Sequence, residues 1–202
     1  MGRISTPGHR KRVSGSQGVG VRGNGVTPSG VERFFGDDEI IVSKTDRQGR
    51  LTYANSVFLR MAAYEEADVI GKQHNIIRHP DMPRAVFKLL WDTIAAGQEI
   101  FAYVVNLAGD GAHYWVHAHV TPSFGADGSI VGFHSNRRSP DRAAVREVDA
   151  LYGRLRAEEL RHSKPTDAMA ASSKMLEETL RSADMTYDEF VWSLGDKEVQ
   201  PA

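Results

Sequence analysis

One short stretch of this sequence gathers most of its chemically able side chains: His74-Asn75-Ile76-Ile77-Arg78-His79-Pro80-Asp81. It offers two imidazoles that can donate, accept or ligate, and a guanidinium whose planar fork matches a phosphate. Its carboxylate can hold that arginine or cap a following helix. A second cluster lies on residues 113–121. There His113, Trp115, His117 and His119 alternate with Tyr114, Val116, Ala118 and Val120, so the two sets occupy opposite faces of a strand. His117 and His119 can bring two imidazoles to one ion, but no carboxylate at a suitable spacing accompanies them. A polar, solvent-facing outer sheet face is the plainer account. Cysteine is absent, which excludes disulfides, thiolate ligands and a cysteine nucleophile. No phosphate-binding Gly-Lys loop, nucleophile elbow or zinc-protease helix motif occurs. The chain is therefore not read as an enzyme, and neither a catalytic residue nor a metal site is assigned.

The elements that must position these groups follow from periodicity and turn chemistry. Residues 39–46 are rich in β-formers, Arg47-Gln48-Gly49-Arg50 is a turn signal, and Leu51-Thr52-Tyr53-Ala54-Asn55 returns; this predicts a hairpin. Asn55-Ser56 caps a short helix through Met61. Residues 83–96 give the strongest helix, with Val86, Leu89, Leu90, Thr93 and Ile94 at helical spacing. Pro83 suits its first turn, Asp81 is a candidate cap and Gly97 ends it. Strands are predicted over 100–107, 113–121 and 129–137, separated by Ala108-Gly109-Asp110-Gly111 and Gly125-Ala126-Asp127-Gly128. The resulting class is α+β: a five-stranded antiparallel sheet with helices on one face, a pocket between helix and sheet, and further helices at the C-terminal end.

This order is similar to that of PAS domains, and residues 74–83 resemble the signature that precedes the long helix in bacterial aerotaxis-receptor PAS domains. Tyr53-Ala54-Asn55, Gly71, Phe87, Trp91, Asn106, Gly111, His113-Tyr114-Trp115-Val116, Thr121-Pro122 and Leu151-Tyr152 match in register. The resemblance covers roughly residues 38–155. It implies a sensor that reads redox state or oxygen through non-covalently bound FAD. The cofactor-binding residues it implies are His74, Asn75, Arg78, His79, Asp81, Trp91, Asn106, Tyr114 and His134. Asn106 shares its spacing with an asparagine that meets the flavin ring in light-oxygen-voltage domains, and His134 falls where those domains place a glutamine. Without a cysteine, adduct-based photochemistry is excluded. Two departures stand out: Ile100-Phe101-Ala102 replaces a Trp-x-Gly pattern, and Leu107-Ala108-Gly109-Asp110 lacks the usual basic residues. Haem ligated by His74 or His79, and an adaptor without cofactor, remain as alternatives. The implied partners are a chemoreceptor or histidine kinase, with a homodimer formed through the outer sheet face and flanking helices.

Composition sets the frame around this domain. The 202 residues are 41% hydrophobic and 25% charged, within the range of globular chains. No apolar run of bilayer length is present, and a cytoplasmic location is expected. Arg3, Arg10, Lys11, Arg12 and Arg22 meet no acidic residue before Glu32, so residues 1–33 read as a disordered basic leader. The remainder is mildly acidic, which argues against nucleic-acid binding. The sensor domain is assigned to 34–139 and a helical extension to 140–202. In that extension Phe190 and Trp192 either anchor the tail or mark a partner site.

Overall fold

The computed structural model describes residues 25–195. Its sheet holds β1 (Ile41–Asp46), β2 (Leu51–Ala54), β3 (Ile100–Leu107), β4 (His113–Phe124) and β5 (Ile130–Arg138). All neighbouring strands are antiparallel, in the order β2-β1-β5-β4-β3. Between β2 and β3 run α1 (Ser56–Ala62), α2 (Glu66–Val69), a 3₁₀ turn (His74–Ile77) and α3 (Arg84–Ala95). The predicted α+β architecture is the observed one. Asn55 caps α1, accepting the Phe58 N–H at 2.9 Å. Its carboxamide also bonds the backbone of Ile40 and Val42, which ties the start of α1 to β1.

The core lies between the inner sheet face and the helices that precede β3. Phe58, Met61 and Ala62 from α1, Val86 and Ile94 from α3, and Ala102, Val116 and Ala118 from the sheet are all buried. Gly49, with φ of +77°, closes the β1–β2 turn; a Cβ there would stand 2.9 Å from the Trp91 ring. Glycine therefore serves both the left-handed turn and the close approach of the indole.

The helical extension departs from a simple tail. It comprises α4 (Arg142–Glu159), α5 (Pro165–Ser182) and α6 (Tyr187–Gly195). Pro165 opens α5 at its first turn rather than interrupting the helix, because a proline at that position forfeits no intrahelical bond. Tyr152 of α4 packs on Trp115, and its hydroxyl donates to the Tyr103 carbonyl of edge strand β3 at 2.7 Å. Trp192 of α6 lies against Phe101 and His117. The outer sheet face, expected to be polar and solvent-facing, is thus covered by the chain's own C-terminal helices. Phe101 stacks on His119 with centroids 4.2 Å apart, and Tyr103 on His117 at 4.8 Å. Trp192 anchors the tail to this face.

Two further expectations need correction. Asp81 does not cap α3. The cap residue is Pro83, which has no side-chain acceptor, and the Arg84 N–H donates to Glu159 Oε1 of α4 at 2.6 Å. A buried carboxylate from far along the chain does the work of a local cap, because an anion at a helix N-terminus meets both unpaired N–H groups and the positive end of the dipole. Asp81 is instead 70% exposed and pairs with Arg156 at 3.3 Å. The second correction concerns the leader. Residues 1–24 lie outside the described residues, but 29–33 are docked on the domain. Val31 and Arg33 exchange backbone hydrogen bonds with His113, at 2.9 and 2.7 Å. Arg33 also pairs with Asp110 and donates to the Met61 carbonyl at 2.7 Å. This segment takes up the β4 edge beyond His117, where β5 ends, and so satisfies backbone groups that would otherwise lie open.

Candidate functional site

Each strand of the sheet shows alternate residues to the interior, and the interior residues of β1, β3, β4 and β5 line one side of a cavity of about 70 Å³. Its other side comes from the 3₁₀ turn and α3. Ile77, Met82, Phe87, Leu90 and Ile94 face Val104, Ala118, Val120 and Phe133 across it, so most of the wall is apolar. Trp91 lines the cavity, meets Phe133 edge-on at 5.5 Å and is 36% exposed. It marks the side toward solvent.

Most of the polar groups of the cavity come from the sheet, and His74 and Arg78 join them from the 3₁₀ turn. Ser43 and Thr45 of β1, Asn106 of β3, and Ser135 and Arg137 of β5 all line it. Arg137 is only 4% exposed. Its Nη2 donates to Ser43 Oγ at 3.0 Å and to His74 Nε2 at 2.6 Å. The second bond requires a neutral imidazole with its proton on Nδ1. Burial first, and the Arg137 charge second, push the His74 pKa down to about 3, so the ring stays neutral at physiological pH. Burial also pulls Arg137 down to about 10, which still leaves it a cation. Four buried polar atoms in this wall have no hydrogen-bond partner: Thr45 Oγ1, Asn106 Nδ2, Ser135 Oγ and Arg137 Nη1. Such groups cost about 1–3 kcal/mol each when left unpaired. Half of the eight such atoms among the described residues belong to residues that line this one cavity.

The nine residues expected to contact a cofactor divide. His74, Arg78, Trp91 and Asn106 line the cavity. The Arg78 guanidinium lies over the Phe87 ring at 4.4 Å and donates to the Met82 carbonyl at 3.1 Å. Its backbone bridges Asn106, which sets the end of the 3₁₀ turn against β3. His134 borders the cavity, but its ring bonds Asn136 Oδ1 at 3.0 Å. The β5 side chains that share the cavity side are those of Phe133, Ser135 and Arg137. Successive strand residues take opposite faces, so these three share a side that His134 does not.

Asn75, His79, Asp81 and Tyr114 are not among the lining residues. Asn75 is exposed, and its carbonyl accepts the Arg78 N–H that closes the 3₁₀ turn. His79 is buried, accepts the Asp81 N–H on Nδ1 and lies 5.7 Å from the His113 ring. Burial chiefly lowers its pKa. Tyr114 is fully buried with its hydroxyl unpaired, and burial raises its pKa well above the usual phenol range. For haem, His74 Nε2 is already engaged by Arg137 and His79 does not line the cavity. Among the described residues no group of three or more His, Cys, Asp or Glu is placed to hold a metal. Sequence reasoning missed Arg137, Ser43 and Ser135. The available signal was the inward parity of Arg137 with Phe133, a charged residue on an apolar face.

Comparison with known proteins now decides the family. Residues 40–137 match the family model described as the PAS fold. Over 121 residues, 60% of this chain and 24% of the relative, the sequence is 36% identical to the aerotaxis receptor of Escherichia coli (strain K12). This part of the chain is a PAS domain. A nitrogen fixation regulatory protein of Klebsiella pneumoniae is 26% identical over 99 residues, 49% of this chain and 20% of that protein. The light-state structure of the blue-light photoreceptor Aureochrome1 LOV superposes with a TM-score of 0.48 and 21% identity, over 58% of this chain and 91% of that one. The match thus spans about a quarter or less of the length of these two curated relatives. It carries a PAS sensor domain of signal transduction, and no helix among the described residues is long and apolar enough to cross a membrane.

Proposed function

We propose that this PAS domain is a redox- or oxygen-linked sensor that binds FAD in the cavity under α3 and passes the ligand's state to a signalling partner such as a chemoreceptor or histidine kinase. The observation that carries the reading is the set of unpaired polar atoms in an apolar slot. The pyrimidine edge of a flavin presents acceptors around a single N–H. Asn106 Nδ2 and Arg137 Nη1 can only donate, while the Ser135 and Thr45 hydroxyls can do either. The residue chemistry therefore complements such an edge. Bound FAD supplies a redox-active ring whose state follows ambient oxidants and reductants. We assign the phosphates to Arg78, the cation at the end of the 3₁₀ turn.

The cavity is well below the ~300–1,000 Å³ of typical ligand pockets. Admission of a three-ring system requires the α3 side chains Leu90 and Trp91 to swing outward. The extension offers the route for output. Glu159 of α4 caps α3 and bonds Ser172 of α5, so displacement of α3 pulls directly on the C-terminal helices. Ligand state then biases two arrangements of that unit.

The test is the absorption spectrum of the freshly purified protein, repeated after incubation with FAD, with the released ligand identified by chromatography. The near-ultraviolet and blue bands of a flavin, with FAD released on heating, are expected. Asn106→Ala and Arg78→Ala should both lower retention while leaving the fold intact. A Soret band would replace FAD by haem. A protein that stays colourless after loading would overturn the flavin reading and leave a protein–protein adaptor.

A further inference from the structure

The most unusual group in the molecule is Arg137. Its guanidinium is buried and lies 5.8 Å from the centre of the Phe58 ring. Both of its hydrogen-bonding side-chain partners, Ser43 and His74, are neutral. No carboxylate among the described residues pairs with it, although eight Arg or Lys side chains elsewhere do pair with carboxylates. An isolated buried charge is one of the costliest arrangements a fold can hold. Here it is held firmly, from β5, β1 and the 3₁₀ turn together, with Nη1 left without a partner at the cavity wall.

We infer that Arg137, with Ser43 and Ser135 beside it, forms an anion-accepting subsite at the sheet side of the cavity, selecting flat apolar ligands that bring a negatively charged or acceptor-only edge to Nη1. The inference rests on the reading of the cavity as the ligand site, and it adds the charge of what that site prefers. The apolar walls from Ile77, Leu90, Ile94 and Val120 receive the body of the ligand. The unpaired donors Arg137 Nη1 and Asn106 Nδ2 receive its edge. His74 takes no part in binding charge. Its neutral Nε2 is the acceptor that fixes the other half of the guanidinium, and so makes it a positioning residue.

The subsite is tested with two small probes of nearly equal shape, benzoate and benzamide, titrated into the full chain and followed through the backbone amide shifts of β5 and α3. Wild type is expected to bind benzoate at least about tenfold more tightly than benzamide, the factor that one charge-assisted hydrogen bond supplies. Arg137→Lys should retain the preference, and Arg137→Met should abolish it. Equal affinities in wild type, absence of benzoate binding, or a preference that survives Arg137→Met would each overturn the inference. The wild-type comparison needs no variant, so misfolding of Arg137→Met leaves the test standing. FAD loading reports separately. Benzoate preference without FAD uptake keeps the subsite and removes the flavin; FAD uptake without benzoate preference does the reverse.

Discussion

The two faces of the sheet use the same strands for opposite ends. On the outer face, Tyr103, Trp115, His117 and His119 pack among themselves and under α4 and α6. The Tyr152 hydroxyl satisfies an edge-strand carbonyl, and His119 pairs with Glu99 at 2.8 Å. On the inner face, Asn106, Ser135 and Arg137 carry unpaired polar atoms toward a cavity. One face closes most of its polar contacts under the C-terminal helices. The other leaves them open. A fold selected for stability alone has no use for the second arrangement, since each open group lowers stability. The difference separates a surface that holds the domain to its helical extension from one that lines a cavity.

The largest test of this contrast is Trp115→Ala. Trp115 is 8% exposed and packs under Tyr152, so its loss should cost about 3–5 kcal/mol in denaturant unfolding. A cost near zero would mean that the extension does not depend on this face. Next comes the pH dependence of His74. Its folded pKa of about 3 lies below the ordinary 6.5, so between these values the unfolded chain binds a proton that the folded one refuses. Stability is therefore full above pH 6.5 and falls as pH drops through the window below it. At pH 5 wild type should have lost about 2 kcal/mol more than His74→Gln, relative to pH 7.5. Parallel pH profiles of the two proteins would remove the neutral His74 imidazole from the account.

Smaller effects sharpen the same comparison. Tyr152→Phe leaves the Tyr103 carbonyl without its donor and should cost about 1–2 kcal/mol. Arg137→Met should change the stability of the ligand-free protein by less than about 1 kcal/mol, or raise it, because the lost hydrogen bonds are offset by removal of an uncompensated buried charge. A large loss of stability in that variant would make Arg137 a brace between β5 and the 3₁₀ turn and place the inner face with the outer one.

Much of the fold is written locally. Alternation in 113–121, the helical spacing of Val86, Leu90 and Ile94, the glycine-rich turns and the Asn55 cap each depend on neighbours a few residues apart. Those short-range signals order the elements as β-β-helices-β-β-β, and that order, with residues 74–83, points to a PAS domain. Arg78 and Asn106, which sit at the ends of well-marked elements, both line the cavity. What lies beyond the reach of those signals is pairing across the structure. The side of β5 that meets the cavity depends on its register against β1 and β4, with Ser43 opposite Ser135 and Ala118 opposite Arg137. That register puts Ser135 and Arg137 on the cavity side, where sequence alone did not look for them. Glu159 caps a helix 75 residues away, and α4 and α6 cover a face that alternation alone reads as solvent-exposed. In each case the deciding term is the burial of a group by residues distant in sequence. That term exists only once the sheet has formed and the helices have closed over it.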